Sequence, residues 1–260
     1  MGCVHLRAVW RFFMPPSSDT TAEFSFFDHL EELRSRLFKA VAGLVVGCAA
    51  TAFWARDILD HVLLRPAIDN GIRLQNIEPF GQAFLILKVV FIVGGIVASP
   101  WILFQVWSFV APGLYEHERR WAGTITFFTT LCFLAGISFG YFMLIPSMLD
   151  YINVVSDPNI TDNITVTYYF GFFVNMLLAS GLMFELPMVT WVLSRIGIVS
   201  PALLSKYRRH SIVAIVVIAA IITPSPDPVT QIMVAIPLYI LFEISVVLSR
   251  IAYKRRATTA

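Results

Sequence analysis

FFDHLEELRSRLFK, residues 26–39, joins a charged amphipathic helix to the first long apolar segment of the chain. Its large apolar residues recur at helical spacing and share one face: Phe26, Leu30, Leu33 and Leu37. A helix-start signal precedes them, with Ser25 followed by Asp28. The stretch therefore predicts an amphipathic helix that runs into a hydrophobic segment beginning at Phe38.

Glu32 lies away from that apolar face, and Arg36 follows one turn later, where the two side chains can pair. The helix is typical of a membrane-surface element that holds a fixed carboxylate at the water boundary. The simpler alternative is a solvated juxtamembrane face that only orients the first span. This stretch alone leaves both interpretations open.

Composition makes the chain a polytopic membrane protein. Of its 260 residues, 57% are hydrophobic and 14% are charged, and the mean hydropathy is +0.74; a soluble domain of this size needs far more surface charge. The three cysteines are far apart with no CxxC, and the five histidines are scattered, so neither a disulfide framework nor a metal centre is expected. The basic charges sort by membrane side rather than into a nucleic-acid-binding patch.

Six apolar segments predict six transmembrane helices: roughly Phe38–Trp54, Phe80–Phe104, Thr124–Ile145, Tyr168–Leu193, His210–Thr223 and Val229–Leu248. The fifth reaches only about 21 Å at 1.5 Å per residue. It is therefore too short for a hydrocarbon core of about 30 Å. We expect the short fifth and sixth helices to thin the bilayer locally.

The positive charges predict the orientation. With a cytoplasmic N-terminus, all but four of the 19 lysines and arginines lie on the inner side, which places both termini in the cytoplasm. The exceptions are Arg56, Arg65, Arg73 and Lys88. The expected division is a flexible tail (1–24), a six-helix membrane domain (25–250) and a basic cytoplasmic tail (251–260).

Loops and small residues predict the packing. The outer segment Arg56–Pro79 is expected to form short helices that cap the bundle. The pairs Gly43/Gly47 and Gly136/Gly140 suggest close helix contacts. Prolines in or at the ends of spans predict kinks: Pro100, Pro146, Pro187 and Pro237.

The first inner loop, Gln105–Trp121, combines aromatic residues with carboxylates. Trp107, Phe109 and Tyr115 stand near a Pro112-Gly113 break and the acids Glu116 and Glu118. An aromatic ring beside a carboxylate suits a guanidinium group, which stacks and pairs bidentately. An interfacial aromatic belt with solvated charges is the alternative.

Glu185 and Glu243 lie inside the fourth and sixth predicted spans. A carboxylate in hydrocarbon costs on the order of 3 kcal/mol, so each should face protein, a watery cavity or a partner. Pro187 adds a helix distortion beside Glu185. Glu243 is nearer the inner end, where it can snorkel or pair with Arg250.

No enzyme motif is present: the chain has no GxSxG, HExxH, P-loop or GxGxxG pattern. Catalysis and a bound cofactor are therefore not expected.

Five motifs in order along residues 25–250 resemble the TatC family, the receptor subunit of the twin-arginine protein translocase. They are HLEELRSRL (29–37), QVWSFVAPGLYEHERR (105–120), FELP (184–187), TPSPDPVTQ (223–231) and AIPLYILFEI (235–244). The resemblance implies an all-α, six-helix membrane protein, concave and glove-like, in the inner (plasma) membrane. It also implies binding of twin-arginine signal peptides of folded cargo, TatA- and TatB-type single-span partners, a homo-oligomeric receptor complex and transport driven by the proton-motive force.

The resemblance also assigns residues. By position, Glu32 and Glu118 would bind the paired arginines of the signal peptide, with Phe109 needed for recognition and Pro112 shaping the loop. Arg34 matches an invariant arginine of the family. A second set would serve the cavity and partner contacts: Glu185, Pro187 and Asp227.

The rival interpretation is a proton-coupled secondary transporter that uses Glu185 and Glu243 as a relay. It predicts inverted repeats between the halves, and no convincing repeat is found. It also leaves the interfacial residues Glu32, Phe109 and Glu118 unexplained.

Overall fold

The computed structural model describes residues 21–110, 122–157, 163–223 and 227–259, which are almost entirely helical. The helices are α1 (Thr21–Ala52), α2 (Ala55–Ile58), α3 (Arg65–Asp69), α4 (Gly81–Val110), α5 (Ala122–Phe139), α6 (Ile145–Val155), α7 (Val166–Phe184), α8 (Leu186–Ile196), α9 (Pro201–Lys206), α10 (Arg208–Ile222) and α11 (Pro228–Thr259). A π-helical turn, Leu59–Leu63, lies between α2 and α3. A second, Gly140–Leu144, connects α5 to α6. The predicted all-α membrane fold is confirmed.

Five helical stretches are long and apolar enough to cross a membrane within the described residues. They are Leu30–Ala52, Gly81–Val110, Gly123–Val155, Val166–Ile196 and Pro228–Tyr253. The predicted fifth span forms α10, whose 15 residues reach about 22 Å at 1.5 Å per residue. The sixth helix is not short, contrary to expectation, because its apolar part alone has 26 residues. Six spans and two cytoplasmic termini stay predictions.

Two helices extend beyond the expected membrane domain (25–250), and the division of the chain into this domain and two tails stays a prediction. Helix α1 begins at Thr21 rather than after residue 24, and α11 continues to Thr259, through most of the expected C-terminal tail. Neither region contains a proline or glycine that would end a helix. The rest of the expected N-terminal tail, residues 1–20, lies outside the described residues.

Small residues set the crossing of α1 and α4, which run antiparallel. A Cβ atom added to Gly94 would lie 2.8 Å from the backbone N and Cα of Cys48, and one added to Gly47 would collide with the Gly94 carbonyl oxygen. Gly136 faces the backbone of Ser180 and Gly181 in the same way. The predicted close helix contacts are confirmed, because only glycine lets two backbones approach this closely.

The outer segment folds into a cap, as predicted: α2, the first π-helical turn and α3 lie between α1 and α4. Tyr141 and Tyr169 donate hydrogen bonds to the carbonyl oxygens of Val62 (3.1 Å) and Leu63 (2.9 Å). These bonds satisfy carbonyl groups that the π turn leaves free. The cap is therefore tied to the helices beneath it.

A two-stranded parallel sheet was not predicted. Strand β1 (Leu74–Gln75) pairs with β2 (Ile164–Thr165), in the register Leu74 to Ile164. It joins the segment between α3 and α4 to the segment between α6 and α7. The buried core lies below, around Phe173, Met176 and Leu238.

The four prolines behave differently. Pro100 and Pro237 lie inside α4 and α11, which continue through them. Pro146 lies in the first turn of α6. Only Pro187 accompanies a helix break, because α7 ends at Phe184 and α8 begins at Leu186. The expected distortion is confirmed there.

Candidate functional site

Glu32 lies on α1 with its carboxylate against Arg36. The Arg36 Nη2 and Glu32 Oε1 atoms are 3.4 Å apart, and the two side chains are 29% and 34% exposed. The predicted pairing is confirmed. The leucines of the apolar face are exposed: Leu30, Leu33 and Leu37. This face therefore points away from the protein, and the Glu32 face packs inward. The side chain of Phe26 lies outside the described residues. In a bilayer this arrangement presents leucines to lipid and keeps the carboxylate at the protein surface.

Gln105 on α4 completes this cluster and was missed from the sequence. Its side-chain oxygen accepts a hydrogen bond from Arg36 Nη1 at 3.4 Å, although the residue is only 3% exposed. Phe109 lies one turn further along the same face of α4 and is half-buried. The structure therefore brings Glu32, Arg36, Gln105 and Phe109 to one end of the α1–α4 pair. A polar amide near the C-terminal end of a long apolar helix was the available signal.

Arg34 is directed elsewhere. Its guanidinium carbon lies 5.9 Å from the centre of the Phe38 ring, a distance at which a cation is attracted to the face of an aromatic ring. The predicted site residues Pro112 and Glu118 fall within 111–121, outside the described residues. Phe109 stands one residue before the end of α4, on the part of this helix that carries Gln105.

Glu185 lies at the break between α7 and α8. Pro187 has no backbone N–H for the carbonyl four residues earlier, which weakens the helix here, and the Glu185 N–H donates to the Leu182 carbonyl oxygen in a tighter turn. The residue is 8% exposed, and its Oε1 atom has no hydrogen-bond partner in the described part of the chain. Cys132 on α5 lies within electrostatic reach. A carboxylate in this position is costly, in keeping with a role outside folding.

Glu243 pairs with Arg208 and not with Arg250, which was one of the two arrangements considered for it. Arg208 Nη2 lies 2.8 Å from Glu243 Oε2, and the Tyr239 hydroxyl donates to Oε1 at 3.0 Å. The reason is that α10 begins with Arg208 beside α11 and places the guanidinium group across from the carboxylate. Both oxygens of Glu243 are thus occupied, which does not suit a proton carrier.

Asp227 immediately precedes α11 and caps its N-terminus. Its Oδ1 atom accepts from the backbone N–H groups of Val229 (3.1 Å) and Thr230 (2.9 Å), and its carboxylate also contacts the Thr230 and Tyr151 hydroxyls. Pro228 takes the first helical position, where its missing N–H costs nothing. The structure gives Asp227 a folding role; the predicted partner contact is untested.

Asp227→Ala should destabilise the protein by about 1 kcal/mol, whereas Asp227→Asn should change stability little, because asparagine caps helices as well as aspartate does. Thermal unfolding of the detergent-solubilised variants measures this difference. If transport fails in both variants while only the alanine variant loses stability, the charge of Asp227 has a function beyond the cap.

Comparison with known proteins gives one family. Residues 28–237 match the family model described as Sec-independent protein translocase protein (TatC). The chain is 36% identical over 234 residues to TatCy of Bacillus subtilis (strain 168), covering 90% of this chain and 91% of that protein. It is 35% identical to TatC of Deinococcus radiodurans, covering 92% and 90%, and 35% identical to chloroplastic TATC of Pisum sativum, covering 83% and 61%.

Two solved structures that match the chain belong to the same family. A crystal structure of the twin-arginine translocase receptor TatC matches with a TM-score of 0.74 at 33% identity, covering 86% of this chain and 99% of that one. A second, of the same receptor in DDM, gives a TM-score of 0.77 at 34% identity, covering 85% and 99%. The similarity therefore covers most of the chain, and the family match over residues 28–237 includes the Glu32 cluster.

Proposed function

The chain belongs to the TatC family of Sec-independent protein translocase proteins, and from that membership we propose that it binds twin-arginine signal peptides at the cytoplasmic face of the membrane. The observation that carries the proposal is the Glu32 carboxylate. It is partly exposed and already contacts the guanidinium group of Arg36, which also reaches Gln105, and Phe109 stands one helical turn beyond Gln105 on α4.

This cluster has the chemistry that arginine recognition needs. A carboxylate accepts two parallel hydrogen bonds from the planar guanidinium fork, and lysine offers only a point charge. In the proposed complex Glu32 and Glu118 each bind one arginine. Phe109 supplies a stacking surface and Pro112 shapes the following segment. Arg34, which contacts Phe38, is assigned to the site only by its position in the family motif.

The later steps are proposed from family membership. Together with TatA- and TatB-type single-span partners, the protein would form a homo-oligomeric receptor complex in the inner membrane, with both termini cytoplasmic. It would pass folded cargo across using the proton-motive force. Glu185, with Pro187 beside it, would contact a partner from the membrane cavity, and the short helix α10 would thin the bilayer nearby.

The test is binding of a synthetic twin-arginine signal peptide to the detergent-solubilised protein, with a lysine–lysine peptide for comparison. Glu32→Gln and Glu118→Gln should each weaken binding of the arginine peptide about 10- to 100-fold, since a hydrogen bond to a charged group contributes about 1.5–3 kcal/mol. The preference over the lysine peptide should fall in parallel.

Glu31→Gln is the matched control, because Glu31 is an exposed carboxylate next to Glu32 on the same helix. It should bind like the unaltered protein. Unchanged binding in folded Glu32→Gln and Glu118→Gln proteins would contradict the two-carboxylate site.

The transporter alternative predicts the reverse pattern, with function lost on changing Glu243 and kept on changing Glu32. The pairing of Glu243 with Arg208 and Tyr239 and the family membership both favour the receptor.

A further inference from the structure

Arg36 bridges the two helices that form the candidate site. One guanidinium nitrogen, Nη2, faces the Glu32 carboxylate on α1, and the other, Nη1, faces the Gln105 side-chain oxygen on α4, each at 3.4 Å. The side chain is half-buried at 29% exposure. The carboxylate proposed to receive an arginine of the peptide is therefore already in contact with an arginine of the chain itself.

Both contacts are long. Strong charge-assisted hydrogen bonds between nitrogen and a carboxylate oxygen measure about 2.7–2.9 Å, and a partly exposed pair one helical turn apart is weak. A contact of this kind holds Arg36 in place without preventing its exchange. Gln105 remains as an acceptor for Nη1 when Nη2 leaves Glu32.

We infer that Arg36 is a specificity-determining residue: it occupies Glu32 as an internal arginine that the signal peptide must displace. The inference rests on the proposed role of Glu32 in binding that peptide. Arg36 and an incoming cation compete for the same carboxylate, so the peptide binds only if its own contact with Glu32 exceeds the one that it replaces.

This competition discriminates between cations. An incoming arginine replaces the single contact of Arg36 by a bidentate pair, whereas an incoming lysine makes one point contact and leaves two positive groups close together. A bidentate arginine takes both Glu32 oxygens and moves Arg36 to Gln105, whereas a lysine takes one oxygen and leaves Arg36 on the other, so that like-charge repulsion persists in the lysine complex. Arg36 thereby lowers the affinity for both peptides and lowers it more for lysine.

The experiment compares Arg36→Gln with Lys39→Gln. Both remove one positive charge from α1, but the exposed side chain of Lys39 lies about one turn beyond Arg36. Dissociation constants for the twin-arginine and lysine–lysine peptides are measured on each detergent-solubilised protein, at low and high salt. Melting curves establish that each variant is folded.

Arg36→Gln should bind the arginine peptide about threefold and the lysine peptide about tenfold more tightly than the unaltered protein, on the order expected for removing one nearby like charge. The ratio of the two constants should therefore fall about threefold, and less at high salt because ions screen the competing charge. Arg36→Lys should lie between, because it keeps the charge and loses the fork. Lys39→Gln should leave the ratio unchanged.

Weaker binding of the arginine peptide to Arg36→Gln would overturn the inference, since Arg36 would then orient Glu32 rather than compete for it. An unchanged ratio would overturn it as well. Failure of the proposed function gives a different result: the unaltered protein then shows no arginine preference, or Glu32→Gln retains it.

Discussion

Gly94→Ala is expected to lower the apparent melting temperature by roughly 3–10 °C, the shift that corresponds to an overpacking cost of about 1–3 kcal/mol in a protein of this size. The added methyl group would lie 2.8 Å from the Cys48 backbone N and Cα atoms, and a backbone cannot rotate away as a side chain can. Helices α1 and α4 must separate to accept it. Because this pair carries Glu32 and Gln105, binding of the signal peptide should weaken as well.

Gly95→Ala is the matched control, one residue further along the same helix. Its added methyl group would meet nothing closer than the Leu44 Cδ1 atom at 3.7 Å, which is ordinary van der Waals contact. Alanine is also a better helix former than glycine by about 1 kcal/mol, so this variant should be as stable as the unaltered protein or slightly more so. Thermal unfolding in one detergent compares the two. Equal melting temperatures would show that α1 and α4 do not cross as closely as described.

Local patterns predicted much of the fold. Long apolar stretches identified the spans, the glycine pair 43/47 identified the α1–α4 contact, and Pro187 identified the helix break. Each signal lies within a few neighbouring residues, where spacing determines geometry. The Asp227 cap could also have been predicted locally, because an aspartate followed by proline marks a helix start. The resemblance to the TatC family assigned Asp227 to a partner contact instead.

Contacts between distant segments could not be predicted in this way. Arg208 and Glu243 are 35 residues apart in the sequence. Arg250 lies about two helical turns after Glu243 on the same helix, so spacing alone favoured Arg250 as the partner. The partnership of Arg36 with Gln105 and the pairing of β1 with β2 likewise depend on how separate helices and loops meet. Two-residue strands carry too little sequence pattern to be recognised.

Folding and the proposed partner contact favour different residues at position 185. Burying a polar group without a hydrogen bond costs about 1–3 kcal/mol, and its Oε1 atom has no such partner among the described residues. Leucine fills a similar volume with no polar atoms. Glu185→Leu should therefore raise the apparent melting temperature by several degrees, while transport of a folded twin-arginine reporter, in cells whose own TatC is deleted, should fall at least tenfold if the carboxylate contacts a partner.

Ser99→Ala separates the two effects. Ser99 Oγ on α4 is also buried without a hydrogen-bond partner in the described part of the chain, and no partner contact is proposed for it. This variant should keep or slightly gain stability with normal transport. A destabilised Glu185→Leu protein would show that the carboxylate is stabilised where it lies; a stabilised one with normal transport would remove Glu185 from the partner contact. If Glu185 contacts a partner, Glu185→Leu should gain stability and lose transport. Ser99→Ala should not lose transport.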